Sequence, residues 1–87
     1  MTTVHIFRDE TARACERAAY RLAHERDKHE GCFTYRGVYF TPADADGAIV
    51  ALLDIYRNGY TSGIIFDSTR DYLAACGIEA EGTFCKF

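Results

Sequence analysis

Cys32-Phe33-Thr34-Tyr35-Arg36-Gly37-Val38-Tyr39-Phe40-Thr41-Pro42-Ala43-Asp44 is the stretch on which the fold turns. Side chains alternate around Arg36-Gly37, and glycine there supplies the positive φ that many tight hairpin turns require. With a two-residue loop, Tyr35 faces Val38 and Phe33 faces Phe40, so these four share one side of a hairpin. Thr34 and Tyr39 then lie on the other side. The hairpin runs directly into a helix start. Thr41 caps, Pro42 at the first helical position gives up no hydrogen bond, and Asp44 closes a capping box while complementing the helix dipole.

Downstream, Ile49, Leu52, Leu53, Ile55 and Tyr56 supply the apolar face of this helix, and Asn58-Gly59 stops it. Ile64, Ile65 and Phe66 read as a short buried strand. Ser68-Thr69-Arg70-Asp71 repeats the capping-box chemistry before a short helix over Tyr72 to Cys76 that Gly77 ends, and Thr83 to Phe87 reads as a closing strand. Upstream, Thr3 to Phe7 is a β-prone run. Asp9 offers an N-cap to a long helix over residues 10 to 29, which contain neither Gly nor Pro, and Gly31 ends it. On that helix Ala12, Cys15, Ala19 and Leu22 fall on one side, flanked by Ala18 and Ala23. Arg13, Arg17, Arg21, His24 and Lys28 fall opposite. The small apolar stripe buries little area, so this helix is expected to contribute less than the second.

The order strand, helix, strand, strand, helix, strand matches the ferredoxin-like split βαβ plan (βαββαβ) of a small α+β domain, with an added short C-terminal helix and strand. Residues 1–87 read as a single domain. The plan is shared by enzymes, RNA binders and inhibitors, so it says almost nothing of function.

The chain has 87 residues, 48% of them apolar, enough for one modest core and no deep cleft between domains. A net charge of -3 argues against general affinity for a nucleic acid backbone. That charge is uneven: residues 1 to 43 carry seven basic and six acidic side chains, residues 44 to 87 three and seven. The first ten residues lack the pattern of a secretory signal, and the longest apolar run, Ala48 to Leu53, is far short of a membrane span. A cytoplasmic protein with no membrane association is expected. Cys15, Cys32, Cys76 and Cys85 are then free thiols, with three pairings open to them under oxidation.

Catalytic patterns are absent from the sequence. His24 and His29 are five apart, which sets them about 140° apart around a helix and prevents a shared metal. The cysteines form no C-x-x-C pair. Cys15 and Cys76 read as small core residues and Cys85 as the more exposed thiol, with a spatial grouping of Cys32, Cys85 and His5 left as an alternative zinc or thiol site. No nucleophile elbow or phosphate loop occurs, and the seven glycines read as caps and turns. Neither an enzyme nor a cofactor is expected.

Two surface features remain. Arg13, Arg17, Arg21 and Lys28 make a regular basic stripe, and Tyr39 and Tyr60 are the tyrosines best placed for exposure, one from the hairpin pattern and one from a polar loop over Asn58 to Ser62. These six residues are the candidate partner-binding set. The expected function is that of a small non-catalytic protein that binds or inhibits a larger macromolecular complex. Its size, acidity and lack of motifs resemble those of phage-encoded inhibitors of bacterial defence systems, anti-CRISPR proteins among them, which block nucleic-acid-handling complexes. A nucleic-acid-binding accessory protein using the basic stripe is the alternative. Exposed strand edges leave a homodimer open.

Overall fold

The computed structural model describes residues 2–62, 65–80 and 82–86. Along the chain run β1 (Thr2–Ile6), α1 (Asp9–Asp27), β2 (Phe33–Tyr35), β3 (Val38–Phe40), α2 (Pro42–Asn58), β4 (Tyr60–Ser62), α3 (Asp67–Ala75) and β5 (Gly82–Lys86). Among the described residues, three helices and two antiparallel sheets make a small α+β domain.

The hairpin forms in the expected register, Phe33 opposite Phe40, Thr34 opposite Tyr39 and Tyr35 opposite Val38. Arg36 at φ 53° and Gly37 at φ 78° make the two-residue turn, whose twist matches that of the strands. Phe33, Val38 and Phe40 are buried and Tyr35 half-buried, whereas Thr34 and Tyr39 face solvent. The second helix also starts as its sequence dictates. The Asp44 N–H donates to Thr41 Oγ1 at 3.1 Å, and the Thr41 N–H to Asp44 Oδ2 at 3.4 Å. At its other end the Gly59 N–H donates to the Ile55 carbonyl at 2.8 Å.

The strands do not take the ferredoxin-like order. In that plan the hairpin would extend the sheet containing β1. Instead β1 pairs antiparallel with β4 on one side and with β5 on the other, giving the order β4-β1-β5, and β2-β3 stands as a separate sheet. The terminal strand, read from sequence as an appendage, fills the edge the hairpin would have needed. A second difference follows from the turn after α2. The Phe7 N–H donates to the Gly59 carbonyl at 2.9 Å, which lays Tyr60–Ser62 alongside β1 at once. The strand thus precedes the Ile64 to Phe66 run expected for it, and Tyr60 sits in a strand instead of a loop. Ile64 lies outside the described residues; Ile65 is buried, and Phe66 is the N-cap residue of α3.

Two caps also differ. Arg8, not Asp9, is the N-cap residue of α1 and makes no side-chain capping bond, while Asp9 and Glu10 fill the first turn and complement the dipole. The helix ends at Asp27, short of Gly31. In α3 the Ser68–Asp71 capping box is not made: the helix has begun by Asp67, Thr69 is buried, and among the described residues the Ser68 hydroxyl has no partner. The helix ends in a Schellman arrangement, with the Ile78 N–H on the Leu73 carbonyl at 2.8 Å and the Gly77 N–H on that of Ala74 at 3.0 Å.

The core sits where α1, α2 and α3 meet the hairpin. Ala12, Cys15, Ala18, Ala19 and Leu22 of α1, and Ala45, Ala48, Leu52 and Ile55 of α2, are buried in one cluster. Small side chains on both helices favour close packing, and an Arg26–Asp46 ion pair ties the end of α1 to the start of α2. Where α3 begins, a Cβ on Gly47 would meet the half-exposed Phe66 ring at 2.7 Å, so a larger residue there would displace that ring. Tyr72 is fully buried, and its hydroxyl donates to the Ala18 carbonyl, 54 residues away, at 2.7 Å. Its ring meets Phe40 edge-on at 5.7 Å and Tyr35 at 5.9 Å, Phe40 stacks on Phe33 at 5.4 Å, and Phe33 stacks on His29 at 5.1 Å. This aromatic series fixes the hairpin's inner face between the end of α1 and α3.

Candidate functional site

Arg13, Arg17 and Arg21 on α1, and Lys28 at its C-cap, are all exposed. Each step of four residues advances about 40° around a helix, so the direction rotates by about 80° from Arg13 to Arg21. The stripe therefore serves two surfaces. Arg13 borders a hollow with Tyr56 and Arg57 of α2. Arg17 and Arg21 turn toward the hairpin and α3, where they line a groove of about 270 Å³ together with Arg36 from the hairpin turn. The three arginines share it with Ala14, Ala18 and Ile78 and with the half-buried Cys76.

Two features set this groove apart. Among the described residues, no carboxylate lies within ion-pairing distance of Arg17, Arg21 or Arg36, whereas Arg26 pairs with Asp27 and Asp46 and Lys28 with Glu25 at 3.5 Å. Further, Arg36 is the one non-glycine residue with positive φ among the described residues, a conformation that costs a residue bearing a Cβ roughly 1–2 kcal/mol. Tyr35 holds its side chain, with the guanidinium carbon 5.9 Å from the ring centroid. Hydrogen bonding to Tyr35, then the Cys76 thiol, push the Arg36 pKa further up. Because Tyr35 rests on Tyr72 and Tyr72 on the Ala18 carbonyl, the third guanidinium is connected through packed rings to the helix that carries the other two.

Beneath the groove, burial and then Cys76 push the Cys15 thiol up to about 12, so it stays protonated as a core side chain should. Burial and then Cys76 likewise push the Tyr72 hydroxyl up. Cys15 is buried as its helix position implied, while Cys76 is only partly so.

The other candidate residues go elsewhere. Lys28 is paired with Glu25 at 3.5 Å. Tyr60 is 44% exposed and borders a hollow of about 410 Å³ that shares Asp9, Asn58 and Gly59 with the one beside Arg13, so the two hollows meet around the end of α2. Tyr39 lies on the outer face of the hairpin, where hydrogen bonding to exposed Cys32 raises its pKa. The six residues thus occupy separate regions, with only Arg17 and Arg21 in one groove. Tyr20, at 63% the most exposed tyrosine, stands near Tyr56, whose hydroxyl bonds to Glu16. Arg36 is the residue that the sequence reading missed. Its signal was a residue other than Asn, Asp or Gly at the first turn position.

No three His, Cys, Asp or Glu side chains converge for a metal among the described residues, and the Cys85 side chain of the His5–Cys32–Cys85 grouping lies outside them. No described helix is long and apolar enough to cross a membrane. Chemically, three guanidiniums on a partly apolar groove suit recognition of an oxyanion, because each presents a rigid fork of N–H donors. Comparison with protein families, with curated proteins and with solved structures finds no match to this chain.

Proposed function

We propose that this is a non-catalytic protein that acts by contact with a larger protein complex, its arginine groove taking an acidic group of the partner. The observation that carries this reading is the convergence of Arg17, Arg21 and Arg36 on one groove that holds no carboxylate of the described chain. A protein partner is favoured over nucleic acid because the cations are gathered at one hollow while α1 interleaves them with Glu10, Glu16, Glu25 and Asp27, and the net charge is -3. Tyr39 and Tyr20 add amphipathic contact area outside the groove. In a phage setting, such a protein serves as an anti-CRISPR-type inhibitor by covering a surface of a nucleic-acid-handling complex.

The test is affinity capture from the native host with the wild-type chain and with Arg17→Glu/Arg21→Glu, followed by binding assays with the purified components. We expect one protein partner to be bound at defined stoichiometry and lost at least about tenfold on charge reversal, equivalent to about 1.4 kcal/mol or more. Direct binding to DNA or RNA that falls steeply with salt and vanishes in the same variant would replace the contact reading with the accessory one. Zinc retained in a native mass spectrum would replace it with the metal reading.

A further inference from the structure

We propose that the Arg17–Arg21–Arg36 groove is a receptor for a phosphate monoester dianion, with Arg36 setting its preference for phosphate over carboxylate. The proposal deepens the contact reading by naming the group that the groove takes, and its own measurement decides it separately.

Three arginines line one hollow of about 270 Å³, and none of them is paired with a carboxylate among the described residues. A carboxylate brings a single charge and two oxygens, which one arginine can satisfy through a bidentate pair. A phosphate monoester carries about -1.5 to -2 near neutral pH on three strong acceptor oxygens, enough to engage three separate forks. The hollow suits one such group with its ester substituent in contact with Ala14, Ala18 and Ile78. A run of backbone phosphates would call for cations spread along a track.

The second observation concerns the turn. A type I′ position prefers Asn, Asp or Gly, yet the residue held there at φ 53° is the arginine that completes the set. Backbone strain kept at the one turn residue that reaches the groove links the turn to binding. Tyr35, resting against buried Tyr72, lies within cation–π reach of that guanidinium, 5.9 Å from its carbon to the ring centroid. Arg17 and Arg21 require only helical spacing, whereas Arg36 requires this turn. The phosphate can come from a free small ester or from a phosphorylated side chain on a protein, since both present the same three oxygens.

The experiment titrates the full chain with phenyl phosphate, inorganic phosphate, succinate and a phosphoserine peptide at constant ionic strength, following the arginine Nε–H signals. We expect Arg17, Arg21 and Arg36 to shift together while Arg13 and Arg57 stay still, and phenyl phosphate to bind at least about tenfold tighter than succinate. Affinity should fall severalfold as pH drops below about 6, where the dianion takes up a proton and becomes a monoanion. Arg36→Asn should weaken phenyl phosphate binding about tenfold or more without lowering the unfolding midpoint, and Arg36→Lys should restore only part of it. Arg21→Gln is a second variant that leaves the turn untouched. Succinate binding as tight as phosphate, unchanged affinity in Arg36→Asn, or equal shifts at Arg13 would overturn the proposal. A peptide bound much more tightly than phenyl phosphate assigns the phosphate to a protein, and equal affinities assign it to a free ester. Phosphate binding without any captured protein would sink the contact reading and leave the groove assigned; a captured protein with no phosphate preference would do the reverse.

Discussion

The hairpin and the three-stranded sheet are both antiparallel and both built from short strands, but they owe their order to different parts of the chain. In β2–β3 every pairing joins residues within eight positions of one another, across a turn that Arg36 and Gly37 make by themselves. In β4-β1-β5, Val4 pairs with Ser62 on one side and Phe84 on the other, and no turn connects them. A local turn sets a register cheaply, because it closes a loop of only two residues, whereas the sheet must bring both ends of the chain together. The hairpin in turn has little core of its own and relies on Tyr72, a residue it does not contain.

That reliance can be broken. Tyr72→Ala should cost about 4 kcal/mol, the loss expected for a large buried aromatic, and should release the hairpin from α1 and α3. Denaturant titration with hydrogen exchange resolved by residue would show β2–β3 losing protection before β1. Tyr72→Phe, which removes the hydroxyl's bond to the Ala18 carbonyl but leaves that carbonyl its place in the α1 ladder, should cost about 0.5–1.5 kcal/mol. If Val4→Ala in the central strand proved more damaging than Tyr72→Ala, the hairpin end would not be the more dependent region.

Alkali sharpens the same contrast, because the groups that resist ionisation lie beneath the hairpin. Cys15 has an ordinary value of 9.0 and is pushed to about 12 in the fold. Below pH 9.0 both the folded and the unfolded chain keep this proton, and the stability it contributes is fully present. As pH rises from 9.0 toward about 12 the unfolded chain loses the proton first, so stability falls, by at most about 1.4 kcal/mol per pH unit for this group. Tyr72, also raised, acts in the same direction. Unfolding midpoints recorded across this range should decline, and Cys15→Ala should flatten the decline while lowering the plateau below it. A slope unchanged in the variant would place the alkaline sensitivity elsewhere.

The smallest effect belongs to the joint between hairpin and α2. Thr41→Ala removes the acceptor of the Asp44 N–H and should cost about 1 kcal/mol with little change in the denaturant slope. A loss several times larger would mean that the cap also holds the hairpin in place, a tertiary role beyond the local bond.

Legibility in the sequence follows the same division. The register of Phe33 to Phe40, the Thr41–Asp44 box and the buried stripe of α1 all depend on chemistry within a few residues, and each was readable as such. The Ser68–Asp71 pattern has the same appearance as Thr41–Asp44, yet the helix has already begun at Asp67, with Phe66 as its N-cap residue, and the Ser68 hydroxyl has no partner among the described residues. Arg17 and Arg21 were legible as cations on a helix face, but Arg36 looked like a turn residue, and its membership of the groove depends on where α1 and the hairpin meet. Tyr60 was expected to be exposed and is partly so, although it sits in a strand.

The amino-acid order alone determined the hairpin, its register and the start of the second helix, because turn geometry and capping bonds are settled between residues close in the chain. Only the tertiary structure decided that β5 and β4 flank β1, that Tyr72 reaches the Ala18 carbonyl, and that a turn arginine joins two helical ones. Those outcomes are choices among distant partners, made by which surfaces bury the most apolar area together, and no short window of sequence contains both sides of such a choice.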